Sequence, residues 1–123
     1  MSRDHEFDSN FLVPIVGDCL SGVAFVMDYV QFQFNGGALL TALTAPSVRT
    51  SSGHGWTVGQ QGWRDSLCER IGVTVESAFL KTGQQLAIDF ADGSRVTVSL
   101  KPSDYRGPEA VNFKAAGGPL VVV

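Results

Sequence analysis

The chain has little of what usually marks chemistry. Its 123 residues include two cysteines, Cys19 and Cys68, and two histidines, His5 and His54, scattered singly and without the paired spacing that makes a zinc site recognisable. Charged residues make up only 17%, with a net charge of −3. With no polybasic cluster and no RNA-binding aromatic motif, composition excludes a basic nucleic-acid footprint. Apolar runs fall well short of the roughly 20 residues that a membrane helix needs. The amino-terminal MSRDHEFDSN is acidic and polar where a secretory signal is basic and then apolar, so a cytoplasmic protein is expected. In that reducing compartment both cysteines are expected to be free thiols, buried as small apolar residues. The catalytic signatures G-x-S-x-G, G-x-x-x-x-G-K-[ST], H-E-x-x-H and C-x-x-C are all missing. Gly53, Gly55 and Gly59 give G-x-G-x-x-x-G, one residue too long for a dinucleotide loop. No catalytic residue, cofactor or metal ligand is assigned, and the chain reads as a non-enzyme.

What is present is a β pattern written twice. Leu12, Val16 and Gly17 are answered at one fixed offset by Leu67, Ile71 and Gly72. After a one-residue slip, Val30, Phe32, Phe34, Gly37, Thr41 and Pro46 are answered in the same order and spacing by Leu86, Ile88, Phe90, Gly93, Thr97 and Pro102. Each half, about 11–46 and 66–102, reads as a lead-in followed by a three-stranded meander. Neither could bury its apolar face well alone, so Phe32, Phe34, Ile88 and Phe90 are expected to share a core across an approximate twofold axis. With 44% apolar residues, a single β domain over 11–123 is expected behind a flexible segment 1–10.

Within the first half, Val23, Phe25 and Met27 with Ala24 and Val26 between them suggest a strand buried on both faces, and Asp28 a turn. In the second, Asp92-Gly93 predicts a type I′ hairpin turn with both central φ angles positive. Ser66 and Glu69 stand at capping-box spacing and Gly72 can end a helix, so one short helix is predicted near 65–71. Its counterpart contains Pro14 and is expected to be an irregular or bent extended segment. Residues 47–64 read as a long Gly/Trp loop. The carboxyl-terminal segment predicts a further hairpin, Glu109–Phe113 with Leu120–Val123, lying outside the duplication. The fold class is therefore mainly β, with about eight strands in a roll, sandwich or partly open barrel.

Six residues are candidates for contact with a ligand or partner. His54, beside two glycines and Trp56, reads first as a solvated loop residue, with a titratable group in a loop pocket as the functional alternative. Trp56 and Trp63 read first as cover for an open end of the core, and alternatively as an aromatic binding wall. Tyr105 and Arg106 lie in a turn. Glu109 follows a rigid Gly-Pro pair, where its charge must be solvated or matched by Arg106 or a backbone amide.

The hairpin Leu86-x-Ile88-x-Phe90-x-Asp92-Gly93, Val96-x-Val98, and the run from Asp104 through Tyr105-Arg106-Gly107-Pro108-Glu109-Ala110 resemble a diffuse group of small bacterial proteins classed as domains of unknown function. The resemblance covers about residues 66–113. It implies a small bacterial β domain, sometimes an immunity or accessory factor, and carries no ligand or catalytic residue with it. The leading functional expectation is a protein-binding or self-associating β domain, a homodimer, because Pro119 to Val123 lacks a charged gatekeeper and can present a strand edge. The alternative is a small-molecule binder with a pocket under loop 47–64.

Overall fold

The computed structural model describes residues 10–123; the expected flexible amino-terminus and His5 lie outside the described residues. A 3-10 helix, Asn10–Ile15, leads into β1 (Leu20–Val26), β2 (Tyr29–Phe34), β3 (Leu39–Ala42), β4 (Ser47–Arg49) and β5 (Gly55–Trp56). Helix α1 (Trp63–Cys68) is followed by β6 (Val75–Lys81), β7 (Gln85–Phe90), β8 (Arg95–Ser99), a 3-10 turn at Pro102–Asp104, β9 (Val111–Lys114) and β10 (Leu120–Val122). These make two five-stranded antiparallel sheets, ordered β1-β2-β3-β9-β10 and β5-β4-β8-β7-β6. The result is a sandwich or partly open roll among the described residues, without barrel closure.

The duplication is visible bond by bond. In β1–β2 the register shifts between Leu20 and Gly22, and in β6–β7 between Val75 and Ser77, so the same bulge occurs in both copies. The pairings Val23↔Phe32 and Phe25↔Val30 are repeated as Ala78↔Ile88 and Leu80↔Leu86. The one-residue slip lies in the intervening turns: Val26 pairs directly with Tyr29, whereas Lys81 pairs with Gln85. Where the copies meet, Gly17 N donates to Val75 O (2.8 Å) and Gly72 N to Leu20 O (2.7 Å). Likewise Val75 N donates to Asp18 O (2.7 Å) and Leu20 N to Val73 O (3.2 Å). These reciprocal bonds surround an isolated Cys19↔Thr74 bridge, through which the approximate twofold axis runs. Gly17 and Gly72 hold φ near +86° and +89°, a conformation glycine adopts without a Cβ penalty.

The carboxyl-terminal hairpin, expected to stand outside the duplication, belongs to it. Val48 pairs with Val96 and Trp56, while Phe113 pairs with Leu40 and Val121. Thus β9–β10 repeats β4–β5 at a longer offset than the rest, the extra chain lying between β8 and β9. Each hairpin joins the sheet of the opposite half: β4 adds to β8, and β9 adds to β3. The stretch expected as a loop over 47–64 therefore contains a hairpin and the first two residues of α1.

The shared core is as expected. Phe32, Phe34, Ile88 and Phe90 are all at most 3% exposed, and they belong to one cluster drawn from both sheets. Several local expectations are corrected. Strand β1 is half-exposed after Leu20, because it is an outer strand, and Met27 is 99% exposed in the turn at φ 44°. At Asp92-Gly93 only the glycine has positive φ; Phe90 N bonds Ser94 O across a three-residue loop, the form that ends in one left-handed residue. Helix α1 starts at Trp63 with Gly62 as N-cap, so Ser66 lies inside it, buried and with its Oγ unpaired. Gly62 is needed there: its φ is 93°, and a Cβ would stand 2.9 Å from Trp56 Nε1. The lead-in with Pro14 is a 3-10 helix, which tolerates one missing donor in a short turn. Neither cysteine is disulfide-bonded, and neither is buried: Cys19 is intermediate and Cys68 exposed.

Candidate functional site

At the open end of the sandwich, β10, the end of β6 and the chain after β8 leave a cleft of about 630 Å³ between them. Its walls include Leu80, Leu100, Val121, Val123 and Phe11, with Pro102 and Tyr105 at the rim. Phe11 is held by an edge-on contact with Phe113, ring centroids 5.6 Å apart. Leu80 and Leu100 are buried, while Tyr105, Val121 and Val123 are half-buried. Their surfaces gain most from removing an apolar molecule from water. The Tyr105 hydroxyl makes no hydrogen bond among the described residues, and Pro102 O accepts only a long one from Tyr105 N (3.3 Å). A donor or acceptor on a ligand can therefore find a partner at the rim.

The same place in the other half is filled. Trp63, 7% exposed, lies edge-on to Phe25 with centroids 5.7 Å apart and donates Nε1–H to Pro46 O at 2.8 Å. By the registers above, Phe25 corresponds to Leu80 and Trp56 to Val121, while Pro46, just before β4, corresponds to Val111, at the start of β9. The two ends of the sandwich are thus related in position, one packed by an indole and the other, among the described residues, without a counterpart of Trp63.

The six sequence candidates are not brought together. Tyr105 alone is on the cleft. Trp63 covers the core as read first. Trp56 packs partly buried against the core, and His54 lies on its ring at 4.2 Å between centroids, tilted 37°. Beside Trp56, the outer face of the second sheet has a smaller groove of about 370 Å³ that includes Arg49 and Arg95. These arginines are cross-strand neighbours. Arg95 is neutralised by Asp89, whose side-chain hydrogen bond raises the guanidinium pKa, opposed by burial and aided by the carboxylate charge. Arg106 donates Nη1–H to Asp28 O at 2.7 Å rather than to Glu109. Glu109 Oε1 instead accepts from the Asn112 amide at 2.9 Å once that amide is turned to face its acceptors.

A buried arginine, unread in the sequence, marks the second half. Arg70 stands where the first half has Ile15 and is 6% exposed. It reaches Asp92 at 3.2 Å and Glu69 at 3.5 Å, leaving Nε unpaired. Burial would raise the Asp92 carboxyl, but hydrogen bonds from the Ser94 hydroxyl and amide and the Arg70 charge together hold it below 3.8.

Comparison with known proteins found no matching family model, no matching curated protein and no matching solved structure. Among the described residues no helix is long and apolar enough to cross a membrane, and no three His, Cys, Asp or Glu side chains gather as a metal site.

Proposed function

We propose that the protein is a non-catalytic binding module whose ligand is a small apolar molecule held in the cleft beside β10. The observation that carries this reading is the cleft's size, about 630 Å³, within the range of ligand sites and lined mainly by aliphatic and aromatic side chains. Among the described residues no histidine, cysteine, aspartate or glutamate lines it, which supports binding over acid-base or nucleophilic chemistry. Loop 47–64, where a pocket was expected, borders two grooves of about 370 and 540 Å³, one beside Trp56 and one beside Trp63, and their more polar linings favour the cleft beside β10 as the apolar site. The test is a titration with small aliphatic and aromatic probes, following the methyl NMR resonances of Leu80, Leu100, Val121 and Val123. Saturable shifts confined to this set support the reading; no shift with any probe at millimolar concentration refutes it.

A second reading, self-association in the cytoplasm as a homodimer, is favoured by β10 itself. It is an outer strand with Leu120 61% and Val122 49% exposed, an edge able to pair with a second copy. Sedimentation at micromolar concentration should show a dimer that Leu120→Lys converts to monomer. A monomer of 13.1 kDa at every concentration would remove this reading.

A further inference from the structure

We infer that the outer face of the second sheet carries a further site, separate from the cleft, for a small organic carboxylate bound between Arg49 and Arg95. Directly paired residues put their side chains on one face of a sheet, and like charges placed opposite one another there are destabilising. Arg49 pairs with Arg95 on one side and with Gly55 on the other, so two guanidiniums share one step of the ladder at the groove of about 370 Å³. Arg95 is fixed and partly spent. Its Nε and Nη2 both donate to the Asp89 carboxylate, and its Cζ lies 5.2 Å from the centre of the Phe79 ring. Its Nη1 has no partner among the described residues. Arg49 is exposed and makes no hydrogen bond or ion pair among them. Gly55 adds no side chain to cover it, and the backbone does not demand that gap: its φ is not in the left-handed region, and an added Cβ would meet Val48 O at 3.6 Å, an ordinary contact. Such a glycine in a strand is one mark of close approach by a ligand.

The internal repeat supplies the control. In the other half Lys114 stands between Leu39 and Leu120 as Arg49 stands between Arg95 and Gly55. Its Nζ donates to Gly118 O at 2.9 Å, and both its neighbours are aliphatic. That half has a single cation, already engaged; this one has two, and one is unengaged. Charge then sets the ligand class. Arg49, Arg95 and Asp89 together leave a single net positive charge at the groove, which one carboxylate balances and which matches a planar guanidinium fork. A phosphate monoester, at about −1.5 to −2 near neutral pH, would exceed that balance and meet Asp89. Ser47 and Thr97, paired across the same strands and lining the groove, offer hydroxyls to the rest of the ligand.

The experiment titrates the protein with benzoate, its neutral analogue benzyl alcohol and the dianion phenyl phosphate, following the backbone amide resonances of Arg49, Gly55 and Thr97. Benzoate is expected to give saturable shifts there, with benzyl alcohol about 10- to 100-fold weaker for want of the charge and phenyl phosphate no tighter than benzoate. Arg49→Gln should weaken benzoate by a similar factor. Gly55→Glu, which sets a carboxylate across the ladder from Arg49, should abolish its binding while leaving the far-ultraviolet circular dichroism unchanged. Benzyl alcohol binding as tightly as benzoate, or benzoate binding unchanged by Arg49→Gln, would overturn the inference, and tighter binding of phenyl phosphate would overturn the carboxylate assignment. Shifts confined to the methyl groups of Leu80, Leu100, Val121 and Val123 would overturn it while supporting the cleft as a binding site. Silence at Arg49, Gly55 and Thr97 with all three probes would overturn this inference and leave the reading of the cleft standing.

Discussion

Removing the Trp63 side chain tests whether a socket of this fold needs an occupant. The indole is 7% exposed, meets Phe25 edge-on at 5.7 Å and donates to Pro46 O at 2.8 Å. Trp63→Ala removes the ring's burial and leaves a cavity, which costs about 3–5 kcal/mol for a buried aromatic. Trp63→Phe keeps much of the apolar contact but deletes the donor, leaving a buried carbonyl without its partner, so about 1–3 kcal/mol is expected. For a chain of this size 1 kcal/mol moves Tm by roughly 3–5 °C, putting the alanine variant about 10–20 °C below wild type. Urea unfolding followed by circular dichroism gives both values, and an unchanged m shows that the denatured state is not the cause. Phe90→Ala, at 1% exposure, is the benchmark at about 3–5 kcal/mol. A cost under about 1 kcal/mol for Trp63→Ala would mean that the site tolerates vacancy or collapses, and the reading of Trp63 as a buried, hydrogen-bonded plug would fail.

Gly17→Ala and Gly72→Ala should each cost about 1–2 kcal/mol, because an added Cβ meets nothing within 4 Å and only the left-handed backbone is penalised. Gly93→Ala should cost more than either, since its Cβ would stand 2.7 Å from Ser51 Cβ; equal costs in denaturation would contradict this. Arg70→Ile, the residue of the equivalent position, should leave stability within about 1 kcal/mol of wild type, because it removes a buried unpaired Nε while Asp92 keeps its bonds to Ser94. Asp92 is depressed on folding, so its contribution is present above its ordinary 3.8 and lost as pH falls through the lower folded value. The stability gap between wild type and Asp92→Asn should accordingly narrow below 3.8, and a gap constant down to about pH 2 would refute the assignment. Thiol titration should find two reactive groups in denatured, unreduced protein and, in the native state, Cys68 reacting before half-buried Cys19; none reacting in the denatured protein would show a disulfide.

The parts of the fold legible in the sequence are those where like residues recur at a fixed spacing. Phe32/Ile88, Phe34/Phe90 and Gly37/Gly93 keep the same class at the same offset because both members face one core or close the same turn. The second hairpin is hidden because its equivalents, Trp56 and Val121 or Gly55 and Leu120, share neither size nor spacing with the rest. Asp92-Gly93 misleads in turn type, since the dipeptide suits two loop lengths and the Phe90–Ser94 pairing decides between them. The capping-box spacing at Ser66 is overridden by Trp63, whose burial draws the helix start back to Gly62. The cleft is the least legible feature. Leu80, Leu100 and Val121 look in sequence like any core or edge residue, and nothing in their spacing shows that they line one cleft.

The crossing of β4 and β9 between sheets makes each half dependent on the other. A half severed between 57 and 62 would retain a three-stranded ribbon with one bare flank and a hairpin with no sheet to join. Two copies of such a half, trading hairpins, would rebuild the same pair of sheets about a true symmetry axis where the Cys19↔Thr74 bridge now marks an approximate one. The architecture is that of an intertwined pair carried on one covalent chain. Its short linker turns what would be a bimolecular encounter into an internal one, equivalent to holding the second half at about millimolar concentration.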